Sequence, residues 1–241
     1  MSHDHFANPF TPFRVEPDSH LDTPRKGPVT LAEKPFSYIG TPLTLPLFVN
    51  YIQSYKFGSV PPDSVVLHHT AIPSASWARY PHGAVWDAGE SGLGWQAIRE
   101  KRRKQLAGIK RFYEGKGWES GPHLFIDERY IWLFTPMYDV GTHARGGNSW
   151  RVGGRLHYSI GIEVIGYYEK KTWPDPVARL VGGAIAALYR QLGTFEIAHK
   201  VGPGGISSHR DYGKPSCPGK AITEPYYLNV IKESLRYGSN Q

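Results

Sequence analysis

The sequence predicts an α/β fold, with a central mixed β-sheet flanked by α-helices. Three observations lead there. Short apolar runs rich in β-branched residues recur along the chain. Longer amphipathic segments alternate with them, which is the order expected when helices cover a sheet. One pair of runs lies close enough to fold back as a hairpin, so the sheet is mixed.

Each element follows from its own residues. Residues Met1 to about Pro46 are rich in Pro, Thr and Asp and show little periodicity. They read as a partly irregular arm, 1–46, that docks on the main domain, 47–241, through Phe6, Phe10, Phe13, Phe36 and Tyr38. LFVNYIQSYKF (Leu47–Phe57) suits either a short strand or a short helix. SVVLHHT (Ser64–Thr70), entered through Pro61, Pro62 and Asp63, reads as a buried strand. GWQAIREKRRKQLAGIKRFYEGKGW (Gly94–Trp118) places Ile98, Leu106, Ile109 and Phe112 near helical spacing, and Gly115 and Gly117 end it. HLFIDERYIWLFT (His123–Thr135) is the hairpin, turning at Asp127, Glu128 and Arg129. HYSIGIEVIGYY (His157–Tyr168) is an apolar run with one charge, Glu163, inside it. DPVARLVGGAIAALYRQLG (Asp175–Gly193) predicts a helix with Asp175 as N-cap, Pro176 at its first position and Gly193 as its stop. EPYYLNVIKESLRYG (Glu224–Gly238) predicts a last amphipathic helix.

Composition narrows the function classes. The chain has 241 residues, 40% hydrophobic and 20% charged, as in soluble globular proteins. A single cysteine excludes an internal disulfide. No stretch reaches the apolar length of a membrane span. The first residues lack a basic segment followed by an apolar one, so a cytoplasmic product without a secretory signal is expected. The net charge of +7 points to an acidic partner or surface. The basic cluster EKRRKQLAGIKR (Glu100–Arg111) reads as the solvated face of a helix. No zinc-finger, basic-zipper or RNA-recognition pattern accompanies it, so no nucleic-acid partner is expected.

Three widely separated positions carry reactive side chains. His68 and His69 end the first strand, Glu163 interrupts an apolar one, and His209 precedes the single cysteine, Cys217. Cys217 lies between Ser216 and Pro218 on a loop rich in Gly and Pro, whereas a cysteine kept for packing usually sits among apolar residues. Two imidazoles and a thiolate suit zinc rather than magnesium or calcium. Glu163 would then be a general base, since a carboxylate in an apolar strand is costly without a partner or a task. The residues alone leave other readings open. Either histidine can be a structural strand-end residue, Glu163 half of a buried ion pair, and Cys217 an inert loop thiol. Spacing does not decide among them.

VVLHHTA, SGPHLFID, GTHARGG, YSIGIEVIG and SSHRDYGKPSCPGK occur in this order. Together they resemble the zinc-dependent N-acetylmuramoyl-L-alanine amidases of type 2, which include phage endolysins and share a fold with peptidoglycan recognition proteins. The resemblance spans roughly Ser64 to Tyr237, which makes 47–241 an amidase catalytic domain. It implies one Zn2+ held by His68, His209 and Cys217, with Glu163 as catalytic base. It implies that His143 hydrogen-bonds the substrate or the developing oxyanion, and that His69, His123 and Arg145 contact substrate. Two positions depart from the phage branch. Pro122 stands where a tyrosine precedes the second-motif histidine, and Pro215 where a lysine stands two residues before the third ligand. Lys214 is the candidate to replace that lysine. The glutamate-dependent branch therefore fits better.

The implied reaction is hydrolysis of the amide between N-acetylmuramic acid and L-alanine, by a phage or bacterial lytic enzyme. Peptidoglycan or muropeptides are the implied partners of a monomer. The alternatives are a non-catalytic peptidoglycan receptor on the same fold and a cytoplasmic amidase recycling anhydro-muropeptides. A lytic enzyme without a signal would reach the cell wall by holin-dependent release, and the recycling enzyme would act in the cytoplasm.

Overall fold

The computed structural model describes residues 35–71 and 93–237. Its strands are β1 (Thr41–Leu43), β2 (Ser64–His69), β3 (Leu124–Ile126), β4 (Ile131–Leu133), β5 (Ser149–Val152), β6 (Arg155–Val164) and β7 (Ile206–Ser208). Its long helices are α1 (Leu45–Ser54), α2 (Leu93–Gly115), α3 (Asp175–Leu192) and α4 (Glu224–Tyr237). The sheet runs β1-β4-β3-β6-β2-β7, and β5 pairs with the first part of β6. Pairing is parallel among β3, β6, β2 and β7. It is antiparallel at β1–β4, β3–β4 and β5–β6. The fold is a central mixed sheet flanked by helices, as the sequence predicts.

The two-residue period of a strand sorts side chains between two layers. Val65 and Leu67 of β2, Ile160, Ile162 and Val164 of β6, and Leu124 and Ile126 of β3 share one core. Phe48 and Ile52 of α1, Val181 and Ile185 of α3, and Ile231 of α4 close that core. Phe125, Trp132 and Phe134 belong to a second cluster with Leu106 of α2, against which Ile109 and Tyr113 pack. By the same alternation Val66 and His68 of β2, and Ser159, Gly161 and Glu163 of β6, turn away from the α1, α3 and α4 layer. Strands buried on both faces read as near-continuous apolar runs, which is why SVVL and IGIEV look as they do.

Local chemistry fixes the connections. Asp127 makes the β3–β4 turn. Its Oδ1 accepts the N–H groups of Arg129 and Tyr130 at 2.9 and 2.7 Å, and its Oδ2 accepts the Trp132 indole N–H at 2.7 Å. Arg102 of α2 donates to the same carboxylate at 3.3 Å, tying the helix to the hairpin inside a buried ion pair. Gly153 and Gly154, with φ of 56° and 81°, form the tight β5–β6 turn that other residues adopt only with strain.

Several boundaries differ from the sequence reading. Leu47–Phe57 is helical in its first part, because α1 begins at Leu45 and lays Phe48 and Ile52 on the core. The chain joins the sheet before Pro46. Thr41–Leu43 pairs with β4, and Phe36 and Tyr38 stack edge-on against Phe134 at 5.9 and 5.0 Å. The expectation for residues 1–34 lies outside the described residues. Asp175 is the first helical residue of α3 rather than its N-cap. Pro174 holds that place, and its carbonyl accepts the Ala178 N–H at 2.9 Å. Asp175 still favours the helix through its charge in the first turn, and Gly193 ends the helix at φ 61°. β5 and β7 are strands that the sequence reading did not contain. No helix among the described residues is long and apolar enough to cross a membrane.

Candidate metal centre

The reactive residues meet at the carboxyl ends of three neighbouring parallel strands, where open α/β sheets commonly bind ligands. In the β2–β6 register His68 is opposite Glu163. In the β2–β7 register Leu67 is opposite Ser208, so His209 emerges beside His68. His209 opens a short 3-10 turn, His209–Tyr212, held by a reciprocal cap. The Ser208 N–H and hydroxyl both donate to Asp211 Oδ2, at 2.8 and 3.0 Å. Arg210 then donates to the carbonyls of Gly219 and Ile222 at 2.7 and 2.9 Å. That clamp folds the loop back and brings Cys217 under the strand ends. The His69 N–H donates to Cys217 Sγ at 3.4 Å.

His68, His209 and Cys217 each point one ligand atom into a common space, with all three atoms within 4.8 Å of one another. The Nδ1 atoms of His68 and His209 are 2.9 Å apart, and Cys217 Sγ is 4.0 Å from His68 Nδ1. Ligands at zinc bond lengths around a tetrahedral ion lie roughly 3.3–3.8 Å from one another, so these separations bracket a small ion. Glu163 Oε1 is 3.8 Å from His68 Nδ1, and its Oε2 is buried without a partner. An orphaned carboxylate oxygen beside two imidazoles and a thiol is what a cation would relieve. The donor set could therefore hold a metal ion.

Electrostatics agree with that use. Burial holds the His68 imidazole well below its usual range, and the neighbouring His143, His209 and His69 push the same way. Burial lowers His209 to about 4, helped by the charges of Lys214 and Arg145. Both rings are thus neutral, as ligands must be. Burial, then Glu163, pushes the Cys217 thiol up. A bound cation would reverse that shift and release the thiol proton. Burial raises the Glu163 carboxyl to about 8.

The other predicted site residues separate into two groups. His69, Arg145 and Lys214 lie within electrostatic reach of His209, and Arg145 and Lys214 are exposed. The His69 ring stacks on the exposed Tyr167 at 5.8 Å, and its Nδ1 accepts the Tyr168 N–H at 3.3 Å. His123 and His143 are different. His123 is fully buried, accepts the Gly161 N–H on Nδ1 at 2.9 Å and donates from Nε2 to the Asp139 carbonyl at 3.0 Å. Both nitrogens serve the backbone, so the expected substrate contact from His123 is not made. His143 Nδ1 lies 3.1 Å from His68 Nε2, and its Nε2 lies 3.2 Å from Ser159 Oγ. With both nitrogens committed inside the protein, His143 does not offer the expected hydrogen bond to substrate or oxyanion. The sequence reading missed Ser159. Its signal was available, since a polar residue on the same face of β6 as Glu163 has to find a partner.

A family model described as N-acetylmuramoyl-L-alanine amidase matches residues 58–220. Among solved structures, the chain is similar to the N-acetylmuramoyl-L-alanine amidase LysC from Clostridium intestinale, at 16% identity and a TM-score of 0.48, covering 73% of this chain and 89% of that one. It is similar to wild-type Drosophila PGRP-LB at 19% identity and a TM-score of 0.47, covering 70% and 82%. It is also similar to an endolysin of a Thermus scotoductus bacteriophage at 17% identity and a TM-score of 0.44, covering 73% and 89%. A search of curated protein sequences finds no match.

Proposed function

The chain belongs to the N-acetylmuramoyl-L-alanine amidase family, and from that premise we propose that it hydrolyses the amide joining N-acetylmuramic acid to L-alanine in peptidoglycan. One observation carries the proposal. Two neutral imidazoles and a thiol converge at the strand ends with an unpartnered buried carboxylate 3.8 Å from one of them. Zinc is the metal this donor set suits, with His68, His209 and Cys217 as ligands. Bound there, it would supply Lewis-acid polarisation of the scissile carbonyl.

The chain's own residues supply the proton transfers. Glu163 accepts a proton from the attacking water and returns it to the departing amine nitrogen. Its carboxyl is raised to about 8 by burial, and a bound cation would bring it down towards about 7, where one group can both take and give a proton. Lys214 and Arg145 place positive charge near the carbonyl oxygen as negative charge develops on it. Lys214 thereby stands in for the family lysine that Pro215 displaces. His69 and the Tyr167 ring stacked on it form one wall for the substrate.

The test is Glu163→Gln. The variant is expected to bind zinc with the wild-type stoichiometry and to lose about 10²–10⁴-fold in turnover of purified peptidoglycan. Cleavage at the wild-type rate would remove Glu163 from the mechanism.

A further inference from the structure

We infer that Ser159 and His143 are positioning residues that hold His68 in the one neutral tautomer whose Nδ1 is free to ligate. The inference rests on reading the His68, His209 and Cys217 cluster as a metal site.

The relay begins at a backbone carbonyl. Gly147 C=O can only accept, and the Ser159 hydroxyl donates to it. Ser159 has one hydroxyl proton, so towards His143 Nε2, 3.2 Å away, its oxygen can only accept. His143 Nε2 must then carry a hydrogen. A neutral imidazole carries one ring hydrogen, so the His143 Nδ1 is left bare. That bare nitrogen lies 3.1 Å from His68 Nε2, so His68 Nε2 is the donor and carries the ring hydrogen. His68 is fully buried, and a neutral ring with its hydrogen on Nε2 carries none on Nδ1. Its Nδ1 lone pair is therefore exposed to the space shared with His209 and Cys217. The direction of every hydrogen bond follows from the carbonyl at the far end.

Strand pairing and close contacts hold this relay in place. Ser159 is fully buried and belongs to β6, paired with Ser64 of β2. His143 lies against Gly161 of the same strand, where a Cβ would come within 2.5 Å of the imidazole. Its backbone N–H is bound by Asn148 Oδ1 at 2.9 Å. A ligand imidazole whose second nitrogen is fixed binds metal more tightly, because its tautomer and ring angle are set in advance. This assignment also explains why His143 has no nitrogen left for substrate.

The test reads tautomers directly. Nitrogen-15 spectra of histidine rings in the metal-free protein, with His68 and His143 assigned, should show both protonated at Nε2. In Ser159→Ala and in His143→Ala, His68 should become a mixture of tautomers. Zinc affinity, from competition with a chromophoric chelator, should fall about ten- to a hundredfold. His68 protonated at Nδ1 in the wild type overturns the inference, as do variants that keep both the wild-type tautomer and the wild-type affinity. Wild-type protein with the expected tautomers that takes up no zinc would support the relay and instead sink the metal reading.

Discussion

His68 and His69 are adjacent in sequence and unlike in role, and the difference is one of parity. Val65 and Leu67 enter the core shared with α1, α3 and α4, so His68 turns to the opposite face with Val66, towards Glu163. That much is legible in SVVLHH once the strand is recognised. The commitments of His143 and His123 were not legible, because they depend on Gly161 and on the Ser159 hydroxyl, which only register brings near. His123 leads to a pH prediction. Its pKa is lowered to about 4 by burial, against about 6.5 in the unfolded chain. A group depressed on folding binds its proton preferentially in the unfolded state. Its contribution is therefore fully present above pH 6.5 and is lost as the pH falls from 6.5 towards 4. Urea unfolding of the metal-free protein should show a loss on the order of 3 kcal/mol between pH 7 and pH 4 from this group. His123→Gln should flatten that part of the pH profile, and an unchanged profile would contradict the assignment.

At the scale of elements, the long signals were readable and the short ones were not. α3 announces itself by Pro176, a broad apolar face and Gly193. β7 has three residues, Ile206–Ser208, of which only the first is apolar, so no periodicity can reveal it. It is held instead by pairing with β2, and it sets where His209 emerges. β5 is almost as short, with four residues, and half of it is exposed. β6 does more than its apolar run suggests, since it pairs with β5, β3 and β2 and carries Ser159, Gly161 and Glu163 on one face. Gly161 is tightly constrained. A methyl group there would lie 2.5 Å from the His143 ring, and the strand cannot retreat between two neighbours. Gly161→Ala should cost about 1–3 kcal/mol of stability by denaturant unfolding, as overpacking does elsewhere. It should also weaken zinc binding, because His143 must move away from His68. Wild-type stability and affinity would show that the ring has room to shift.

For the whole molecule, the site exists because the sheet is mixed. Parallel β6, β2 and β7 present three carboxyl ends side by side, which supply Glu163, His68 and His209. The antiparallel hairpin and α2 close the adjoining apolar layer. The net charge of +7 suits an acidic partner and leaves the chemistry to the strand ends. The order of the motifs conveyed the family, but the chain path alone shows that the clamp from Arg210 folds a Gly- and Pro-rich loop until its thiol meets two imidazoles. On the proposed reading, this meeting point makes the chain a metal-dependent amidase. The most direct measurement is mass analysis of the products formed from purified peptidoglycan, with and without a zinc chelator. Intact peptide stems freed from N-acetylmuramic acid by the zinc-loaded protein, and absent when the chelator is present, are the predicted result. Uncleaved peptidoglycan after incubation with fully zinc-loaded protein, or cleavage that persists in chelator, would contradict it.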